Sequence, residues 1–325
     1  MKNTNTMNMT KTEMKKVLII VALVLGFGIL SSAHAASGRG TTGAQFLRVG
    51  VGARASAMAG AFSPVADDAT ALYWNPAGLS QLEKRDAELS YNAYFKDSAA
   101  QYAGYAHPTS IGTFAGSINM FSVKNIESRS LVDTSDTPDG TFKTQDLAAS
   151  FGWASKTDLG GGDFHYGAGI KYVSSDLNTA TGKTGAIDLG TLYNIGEKKF
   201  WTVSMAVLNI GGKMKFNNEA DALPLDVKPG IAIKPDLGRM GKLVVALDGD
   251  YYTSEGAGNA QLGFEWWPVS AFALRAGYQS GRNTNAGSGA AVGAGFRVVG
   301  LSIDYAFVPY GDLGDTHRVS LGYKF

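Results

Sequence analysis

The chain has 325 residues, a formal net charge of +1 and no cysteine. Without cysteine there can be no disulfide bridge, thiolate metal site or cysteine-linked lipid anchor. The balanced charge gives no electrostatic signal for nucleic acid binding. Glycine is frequent, with 42 residues, and the mean hydropathy of -0.04 is too low for a bundle of membrane-spanning helices. Both values suit a curved β-sheet in which only alternate residues face an apolar environment.

The first 35 residues have the pattern of a cleaved secretory signal peptide. Lysines precede an apolar run over residues 17–30, and Ala33-His34-Ala35 has the small-residue form of a cleavage site. The run is shorter than the roughly 20 residues that a membrane-spanning helix needs. We therefore expect the chain to be exported, with residues 1–35 removed and translation starting at Met1 or Met14.

Residues 36–85 are rich in glycine and alanine and show no sustained alternation, whereas from residue 86 onward apolar and polar residues alternate. A period of two is the pattern of β-strands with two different faces. The alternation predicts fourteen strands, most of them near the roughly 9–11 residues that cross a bilayer at a tilt. The predicted strands span 86–96, 98–108, 110–122, 143–155, 163–174, 183–195, 199–210, 225–235, 241–253, 258–267, 270–279, 288–298, 300–308 and 315–325.

Each predicted strand separates into an apolar and a polar face. In the strand 300–308, for example, Leu301 and Ile303 alternate with Ser302 and Asp304. Such alternation fits a membrane barrel with an apolar outer face, and it also fits a soluble β-sandwich with an apolar core. The even strand number, the export signal and the alternation of short turns with long connections favour the barrel.

The polar faces carry acidic and basic residues in equal number. The acidic ones are Glu88, Asp146, Asp188, Asp248, Asp250, Glu265 and Asp304, and the basic ones are Lys171, Lys228, Lys234, Arg275, Arg297, Arg318 and Lys324. A pore selective for one sign of ion would show an excess of that sign. The balance therefore predicts ion pairs that brace the wall or hold a plug, with a path for a charged substrate as the alternative.

The stretch 43–79 resembles the N-terminal hatch of the FadL superfamily of outer-membrane barrels. It has an arginine-containing opening rich in glycine and alanine, then Asp67-Asp68-Ala69, and then Trp74-Asn75-Pro76-Ala77-Gly78-Leu79. Within the superfamily it is most similar to the PorV/PorQ-like branch, which 208–213 and 223–225 also resemble. The resemblance extends over essentially the whole chain after the signal peptide.

The resemblance implies an all-β fold, a transmembrane antiparallel β-barrel of about 14 strands over residues 86–325. Residues 36–85 are then an N-terminal plug, or hatch, inside the lumen. The implied location is the outer membrane of a Gram-negative-type cell, in contact with outer-membrane lipid. The final Tyr323 and Phe325 resemble the insertion signal of bacterial outer-membrane barrels, which implies the barrel-assembly machinery as a partner during insertion.

The resemblance also assigns expected roles inside the plug. In the hatch motif asparagine turns the backbone, proline fixes φ, and glycine allows close approach to the wall. The hatch motif consists of Asn75, Pro76, Ala77 and Gly78. The residues expected to form ion pairs between plug and wall are Arg48, Arg54, Asp67 and Asp68. The residues expected to line a ligand path are Phe46, Leu47 and Phe62.

Two functions follow from the resemblance. The first is passive passage or binding of a hydrophobic molecule, lipid-like or fatty-acid-like, past a movable plug. The second is a PorV-type component of type IX secretion that binds exported cargo or partner proteins. The chain is too short to hold the helical extracellular excursions of larger FadL transporters, which puts fatty-acid capture in question. Gly112 and Gly116 are candidate kink sites for a lateral opening, because glycine weakens strand pairing.

Patterns for catalysis and metal binding are missing from the sequence. His107, His165 and His317 are scattered, with no second ligand at metal-binding spacing, and there is no Gly-x-Ser-x-Gly motif. The stretch 181–184 has part of a phosphate loop but lacks its first glycine. The acidic stretch 133–139 does not have the spacing of a calcium loop. The sequence therefore predicts neither an enzyme nor a bound cofactor or metal ion.

Overall fold

A computed structural model describes residues 40–129, 137–196, 199–217, 219–281 and 287–325. The predicted signal peptide over 1–35 lies outside the described residues. Within them, no helix has both the length and the apolar character to cross a membrane.

Fourteen antiparallel strands of the described chain form a closed barrel, which confirms the predicted fold class and strand number. The barrel closes where the first strand pairs with the last, with Leu89 opposite Leu321. A separate two-stranded hairpin, β8–β9, lies in the connection between barrel strands β7 and β10. The strands are β1 Asp86–Ala93, β2 Ser98–Thr109, β3 Gly112–Ser128, β4 Gly140–Leu159, β5 Gly162–Asp176, β6 Thr181–Ile195, β7 Trp201–Gly211, β8 Lys213–Phe216, β9 Glu219–Ala222, β10 Asp226–Ile233, β11 Lys242–Tyr252, β12 Ala257–Val269, β13 Phe272–Gln279, β14 Ala290–Val298, β15 Leu301–Pro309 and β16 Asp315–Lys324.

The alternation of each strand produces an apolar outer face and a largely polar inner face. In β16, Leu321 and Tyr323 are exposed on the outside, whereas Arg318 and Ser320 are buried on the inside. Closure of the sheet places the polar faces inside the barrel, where the wall encloses them. The outer surface of the barrel is therefore apolar, as a lipid environment requires.

The two ends of the barrel differ in the length of their connections. At the end where β1 begins, four connections are two-residue turns, at 110–111, 160–161, 270–271 and 299–300; we call this the turn end. At the opposite end, which we call the loop end, longer connections follow β3, β7 and β13. Strands β3 to β6 are also the longest, with 17, 20, 15 and 15 residues, and extend the wall at the loop end.

Residues 43–82, which we call the N-terminal segment, lie inside the barrel. The Ala53 N–H donates to Ser320 Oγ of β16 at 2.7 Å, and the Phe62 N–H donates to Asp248 Oδ2 of β11 at 2.9 Å. On another side, Ser80 Oγ lies 2.7 Å from His165 Nδ1 of β5. Contacts to strands around the whole wall place the segment across the lumen. Its helices are the 3₁₀-helices Gln45–Arg48 and Pro76–Gln81 and the short α-helices Ala53–Ala57 and Ala71–Trp74.

The main hydrophobic core lies between the N-terminal segment and the wall. Met58, Phe62 and Leu72 of the segment are almost completely buried, and they belong to the same cluster as the wall residues Ala106 and Ala246. Alanine on the wall leaves room for large side chains on the segment, which is how two surfaces interlock at high packing density. The segment is thus part of the fold as the structure describes it.

The pairing of β3 does not support a kink at Gly112 or Gly116. The ladder between β2 and β3 is continuous through both glycines, and so is the ladder between β3 and β4 from Thr113 onward to Val123. The register shifts elsewhere, between β6 and β7 and near the loop end of β3. Pairing is therefore unbroken on both sides at Gly116, and Gly112, the first residue of β3, pairs with β2; a lateral opening at these glycines stays a prediction.

Candidate functional site in the barrel lumen

Charged side chains join the N-terminal segment to the wall in the middle of the lumen. Arg54 Nε donates to Glu265 Oε2 at 2.7 Å and Arg54 Nη2 donates to Oε1 at 2.8 Å, so the two side chains form a two-bond fork. Arg54 Nη1 also donates to Asp67 and, at 3.2 Å, to Asp68. Of these residues only Glu265 belongs to the wall; Asp67 and Asp68 belong to the segment and neutralise Arg54 from within it.

The alternation of charge continues along the wall beyond Glu265. Arg275 Nε donates to Glu265 Oε2 at 2.7 Å, and Arg275 Nη1 donates to Asp304 Oδ1 at 2.7 Å. Burial alone would raise the pKa of Asp67, but the charge and hydrogen bond of Arg54 together with the charges of Lys324 and Lys234 lower that pKa below its ordinary value. The lumen therefore contains a network of compensated charges rather than a row of charges of one sign.

A second charged group lies under the middle of the segment. Asp248 of β11 accepts the N–H groups of Phe62, at 2.9 Å, and of Ser63, at 2.7 Å. Lys228 of β10 forms an ion pair with Asp250 and lies 3.8 Å from Asp248. One wall carboxylate thus binds two backbone donors of the segment while a wall lysine balances its charge.

The hatch motif forms a buried turn against β6. Asn75 Oδ1 accepts the Ala77 N–H at 3.1 Å, and Asn75 Nδ2 donates to Thr191 O at 3.1 Å. Pro76 is the first residue of the 3₁₀-helix that follows, where its missing N–H leaves no donor unsatisfied. The Asn75 side chain therefore both shapes the turn and attaches it to the wall.

The close approach at this turn depends on glycines of the wall. A Cβ atom added at Gly190 would lie 3.0 Å from Ala77 N and closer still to Asn75 Oδ1, and one added at Gly167 would lie 2.6 Å from Pro76 O. Gly78 has a different neighbour: a Cβ atom there would lie 3.0 Å from Ala66 Cβ, within the segment. The glycine of the motif therefore permits packing inside the segment, and the wall supplies its own glycines for the contact.

Two of the three predicted ligand-path residues lie together near the loop end. Phe46 and Leu47 are buried in an apolar group, which we call the loop-end cluster, whose wall side includes Val173 of β5 and Met214 of the hairpin. Its remaining buried members are Ala44, Ala148, Ala186 and Leu223. The hairpin β8–β9 contributes to this cluster, so a loop-end element covers the segment's first apolar residues.

Phe62, the third predicted ligand-path residue, is separate from the loop-end cluster. It belongs to the main core, with its ring centroid 6.1 Å from that of Trp74 and 5.2 Å from the Arg54 guanidinium carbon. The three apolar residues therefore do not form one continuous path in this structure.

A cavity of about 110 Å³ lies beside the segment, between the loop-end cluster and the middle of the lumen. Leu47 is the one predicted path residue among its lining residues. Most of the lining is polar or aromatic, and includes Arg48, Tyr73, Trp74, Lys228, Asp250 and Arg318. Such a cavity suits water and polar groups better than an apolar molecule.

Arg48 attaches the start of the segment to the turn between β11 and β12. Arg48 Nη1 donates to Glu255 Oε2 at 2.9 Å, and the same carboxylate accepts hydrogen bonds from Thr42 and Gln45, each at 2.8 Å. Burial opposes ionisation of Glu255, but the hydrogen bonds from Gln45 and Thr42 and the charge of Arg48 together lower its pKa. Sequence spacing gave no sign of Glu255, which lies far from its partners along the chain.

Acid should weaken the contact between Arg48 and Glu255 only below the pH range in which a glutamate ordinarily titrates. Since the folded-state pKa of Glu255 is lowered from its unfolded value of about 4.3, the contact stabilises the fold above that pH and is lost as the pH falls through the lowered pKa. Amide hydrogen exchange of residues 43–48, corrected for intrinsic rates, should be constant from neutral pH to about 5 and rise below about 4. In Glu255→Gln, the exchange rate of residues 43–48 should no longer rise at low pH. An unchanged rise in that variant would show that Glu255 is not the group that titrates.

His165 attaches the other end of the segment near the turn end. Its Nδ1 lies 2.7 Å from Ser80 Oγ, and its Nε2 lies 3.1 Å from Asn194 Nδ2 of β6. The sequence shows His165 as an isolated histidine because its partners come from other parts of the chain. Among the described residues no group of three or more His, Asp or Glu side chains has a metal-binding arrangement.

The predicted insertion residues lie on the outer face of the last strand. The rings of Tyr323 and Phe325 stack with centroids 5.4 Å apart, and both are about half exposed. Their position is compatible with contact to lipid or to another protein during insertion, and their role in insertion stays a prediction.

No family model matches the sequence, and no curated protein sequence matches it. Solved structures do show similarity of fold. The Pseudomonas putida toluene transporter TodX has a TM-score of 0.56 and 12% identity, with 85% of this chain and 98% of that chain covered. The Ralstonia pickettii toluene transporter TbuX has a TM-score of 0.57 and 11% identity, with the same 85% and 98% coverage. A Pseudomonas aeruginosa FadL homologue has a TM-score of 0.53 and 13% identity, with 85% of this chain and 98% of that chain covered. The barrel thus shares its fold with outer-membrane channels of the FadL type.

Proposed function

We propose that this protein is an outer-membrane barrel that binds a small hydrophobic molecule at its loop end and lets it pass the N-terminal segment. The observation that carries the proposal is the loop-end cluster. There the segment's own Phe46 and Leu47 fill an apolar pocket formed by the wall and the hairpin β8–β9. A hydrophobic molecule that displaced them would bury the same apolar surface in their place.

The outer surface supports a location in the outer membrane. Aromatic and aliphatic side chains alternate outward along the strands, for example Leu301, Ile303 and Tyr305 of β15, each between 39% and 45% exposed. Exposure of so much apolar surface is unfavourable in water and favourable in a bilayer. Export through the signal peptide 1–35, with removal at Ala35, remains a prediction of the sequence.

Movement of the segment's first residues would open the loop end without separating the ion pairs of Arg54. Near the loop end the segment is held by the Gly43 N–H bond to Ala222 O at 2.9 Å, by the Arg48–Glu255 pair and by the loop-end cluster. Deeper contacts involve Arg54 and its carboxylates, which are costly to separate in a low-dielectric lumen. We infer that residues 43–50 move first and that the polar lumen below resists direct passage of an apolar molecule. The similarity of fold to structures described as toluene transporters supports a small hydrophobic ligand.

An engineered disulfide tests whether this movement is required. A Cβ atom at Gly43 would lie 3.4 Å from Asp221 Cβ, close to the 3.5–4.5 Å of a disulfide. The chain has no cysteine of its own, so Gly43→Cys/Asp221→Cys would form a single defined bridge. The test measures uptake of the hydrophobic fluorophore N-phenyl-1-naphthylamine by intact cells. When the two cysteines are oxidised to the bridge, uptake should fall to the level of cells without the protein. Reduction should restore it.

The controls for this experiment are the two single-cysteine variants, which cannot close a bridge within the chain and should respond to neither oxidant nor reductant. Equal uptake in the oxidised and reduced double variant would contradict the proposed movement. Mass spectrometry of protein purified gently from native membranes adds an independent readout. A bound hydrophobic molecule, lost when Asn75, Pro76 and Ala77 are replaced, would support the transport function.

The second candidate function is a PorV-type component of type IX secretion. The observation that favours it is the hairpin formed by the ends of β3 and β4. In the described ladders, residues 126–128 pair only with residues 140–142, beyond the points where β2 and β5 stop pairing with these strands. Such edges can accept an extended segment of another protein. Protein partners in stoichiometric amount, together with a barrel that retains no small molecule, would support this function over transport.

A further inference from the structure

Arg318 of β16 is a buried cation without a carboxylate partner. It is 6% exposed, and no ion pair among the described residues includes it. Its Nη1 donates to Ser56 Oγ at 2.7 Å and its Nη2 donates to Tyr310 Oη at 3.2 Å. These acceptors are neutral, and the Tyr94 ring, with its centroid 5.5 Å from the guanidinium carbon, also faces the cation. No carboxylate among the described residues forms an ion pair with it.

Arg318 also lines a second cavity, of about 10 Å³. It is enclosed by residues 50–53 of the N-terminal segment and by strands β1, β2, β3 and β16, and its lining includes Asn92 and Asn119. Asn92 is directly opposite Arg318 in the ladder between β1 and β16. The two asparagines and the arginine therefore surround one small space.

Three buried side chains have unsatisfied polar atoms at this cavity. Arg318 Nε, Asn92 Nδ2 and Oδ1, and Asn119 Nδ2 have no hydrogen-bond partner in the described chain, and both asparagines are 5% exposed. Three of the four atoms are donors. Because both amide atoms of Asn92 are unpartnered, exchanging its oxygen and nitrogen would not remove a donor from the cavity. Buried polar groups of this kind normally have partners.

We propose that this cavity is a binding site for a single monatomic anion, of which chloride is the natural candidate. Arg318, Asn92 and Asn119 line the same small space and each has an unpartnered donor, so a particle that only accepts hydrogen bonds could satisfy them there, and its charge would compensate the guanidinium. A space of about 10 Å³ has room for about one water-sized particle, which favours a monatomic anion over carboxylates, phosphate and other polyatomic anions. A water molecule would fit but would leave Arg318 without an anionic partner.

The anion would also stabilise the position of the N-terminal segment. Arg318 reaches the segment through Ser56 Oγ and, at 3.4 Å, through Gly50 O. An anion that fixes the guanidinium fixes these two contacts as well. This inference does not depend on the proposed transport function, since it concerns only how the segment is held against β16.

Bromide is a direct probe for the site because it can be located by anomalous diffraction. Crystals of the full barrel grown in bromide should show an anomalous peak within hydrogen-bond distance of Arg318 Nε, Asn92 Nδ2 and Asn119 Nδ2. In detergent, replacing gluconate by chloride at constant ionic strength should raise the Tm by about 2–4 °C. Circular dichroism at the β-sheet band gives the Tm.

The variant Asn92→Asp distinguishes binding of an anion at this cavity from a general effect of salt on the Tm. The new carboxylate would pair with Arg318 and take the place of the anion, so this variant should have no bromide peak and a Tm independent of chloride. Asn194→Asp is the matched control: Asn194 is equally buried in the lumen, but its side chain is hydrogen-bonded to Thr202 and His165. The Tm of the Asn194→Asp variant should still rise with chloride by the same amount as in the unaltered protein.

The unaltered protein decides the proposal. If it shows neither a bromide peak nor a chloride dependence of the Tm, the cavity holds only water and the proposal is overturned.

Discussion

Replacing Arg54 by methionine should destabilise the folded protein by about 3–5 kcal/mol. Arg54 is buried and contacts Asp67, Asp68 and Glu265, so its removal leaves carboxylates in the lumen without their cation. Methionine replaces much of the volume but none of the charge. Glu265 keeps its second partner, Arg275, and the uncompensated charge should therefore fall mainly on the segment's own Asp67 and Asp68.

Urea unfolding of the refolded barrel, monitored by tryptophan fluorescence, measures this effect. Arg129→Met is the matched control, since Arg129 pairs with Glu127 at the surface and both side chains are more than half exposed; it should change the stability by less than about 0.5 kcal/mol. Adding Asp67→Asn to Arg54→Met should recover part of the loss, because it removes one of the two carboxylates that lose their cation. Equal effects of Arg54→Met and Arg129→Met would show that the lumen charges do not hold the segment.

The same change should alter conductance if the segment closes the barrel. With Arg54 replaced, the segment loses its ion pair to the wall in the middle of the lumen and keeps the hydrogen bonds of Asp248 and the contacts at its two ends. Planar-bilayer recordings should then show frequent open states that the unaltered protein lacks. A destabilised barrel with unchanged conductance would mean that the segment stays in place while the fold weakens.

The barrel could be predicted from the sequence because strand alternation is a local signal. The strand β13, Phe272–Gln279, was predicted as 270–279, and β16, Asp315–Lys324, as 315–325. Each strand needs only its own two faces to be recognised. The hairpin β8–β9 was not predicted, because its strands have four residues each and alternation over four residues is too short to stand out from a loop.

The partners inside the lumen could not be predicted, because they depend on register and on closure. Arg54 and Glu265 are 211 positions apart in the chain, and only the closed barrel brings them together. The balance of acidic and basic residues did predict ion pairing, but not that Asp67 and Asp68 would neutralise Arg54 from within the segment. Phe62 has the same apolar character as Phe46, and the sequence gives no sign that they belong to different clusters.

Gly190→Ala should detach the hatch motif from the wall and lower the stability by about 1–3 kcal/mol, the usual range for overpacking. The added Cβ would overlap Asn75 Oδ1 and lie 3.0 Å from both Ala77 N and Pro76 Cδ. Ala77 N and Pro76 Cδ are fixed in a buried turn, and the Asn75 amide can move only by breaking its hydrogen bond with the Ala77 N–H. The Asn75 bond to Thr191 O would be lost with the same displacement.

Gly185→Ala on the same strand is the matched control for this prediction. Its Cβ would point outward and meet only Lys171 O, at 3.7 Å, which is an ordinary contact. Urea unfolding should therefore distinguish Gly190→Ala from Gly185→Ala, and protease cleavage within residues 71–82 should rise only in the first. If cleavage rises while the barrel stays folded, the hatch can leave the wall without unfolding the strands, which a movable plug requires. If both variants behave alike, the close contact at Asn75 does not hold the segment, and the function of the motif must lie elsewhere in the turn.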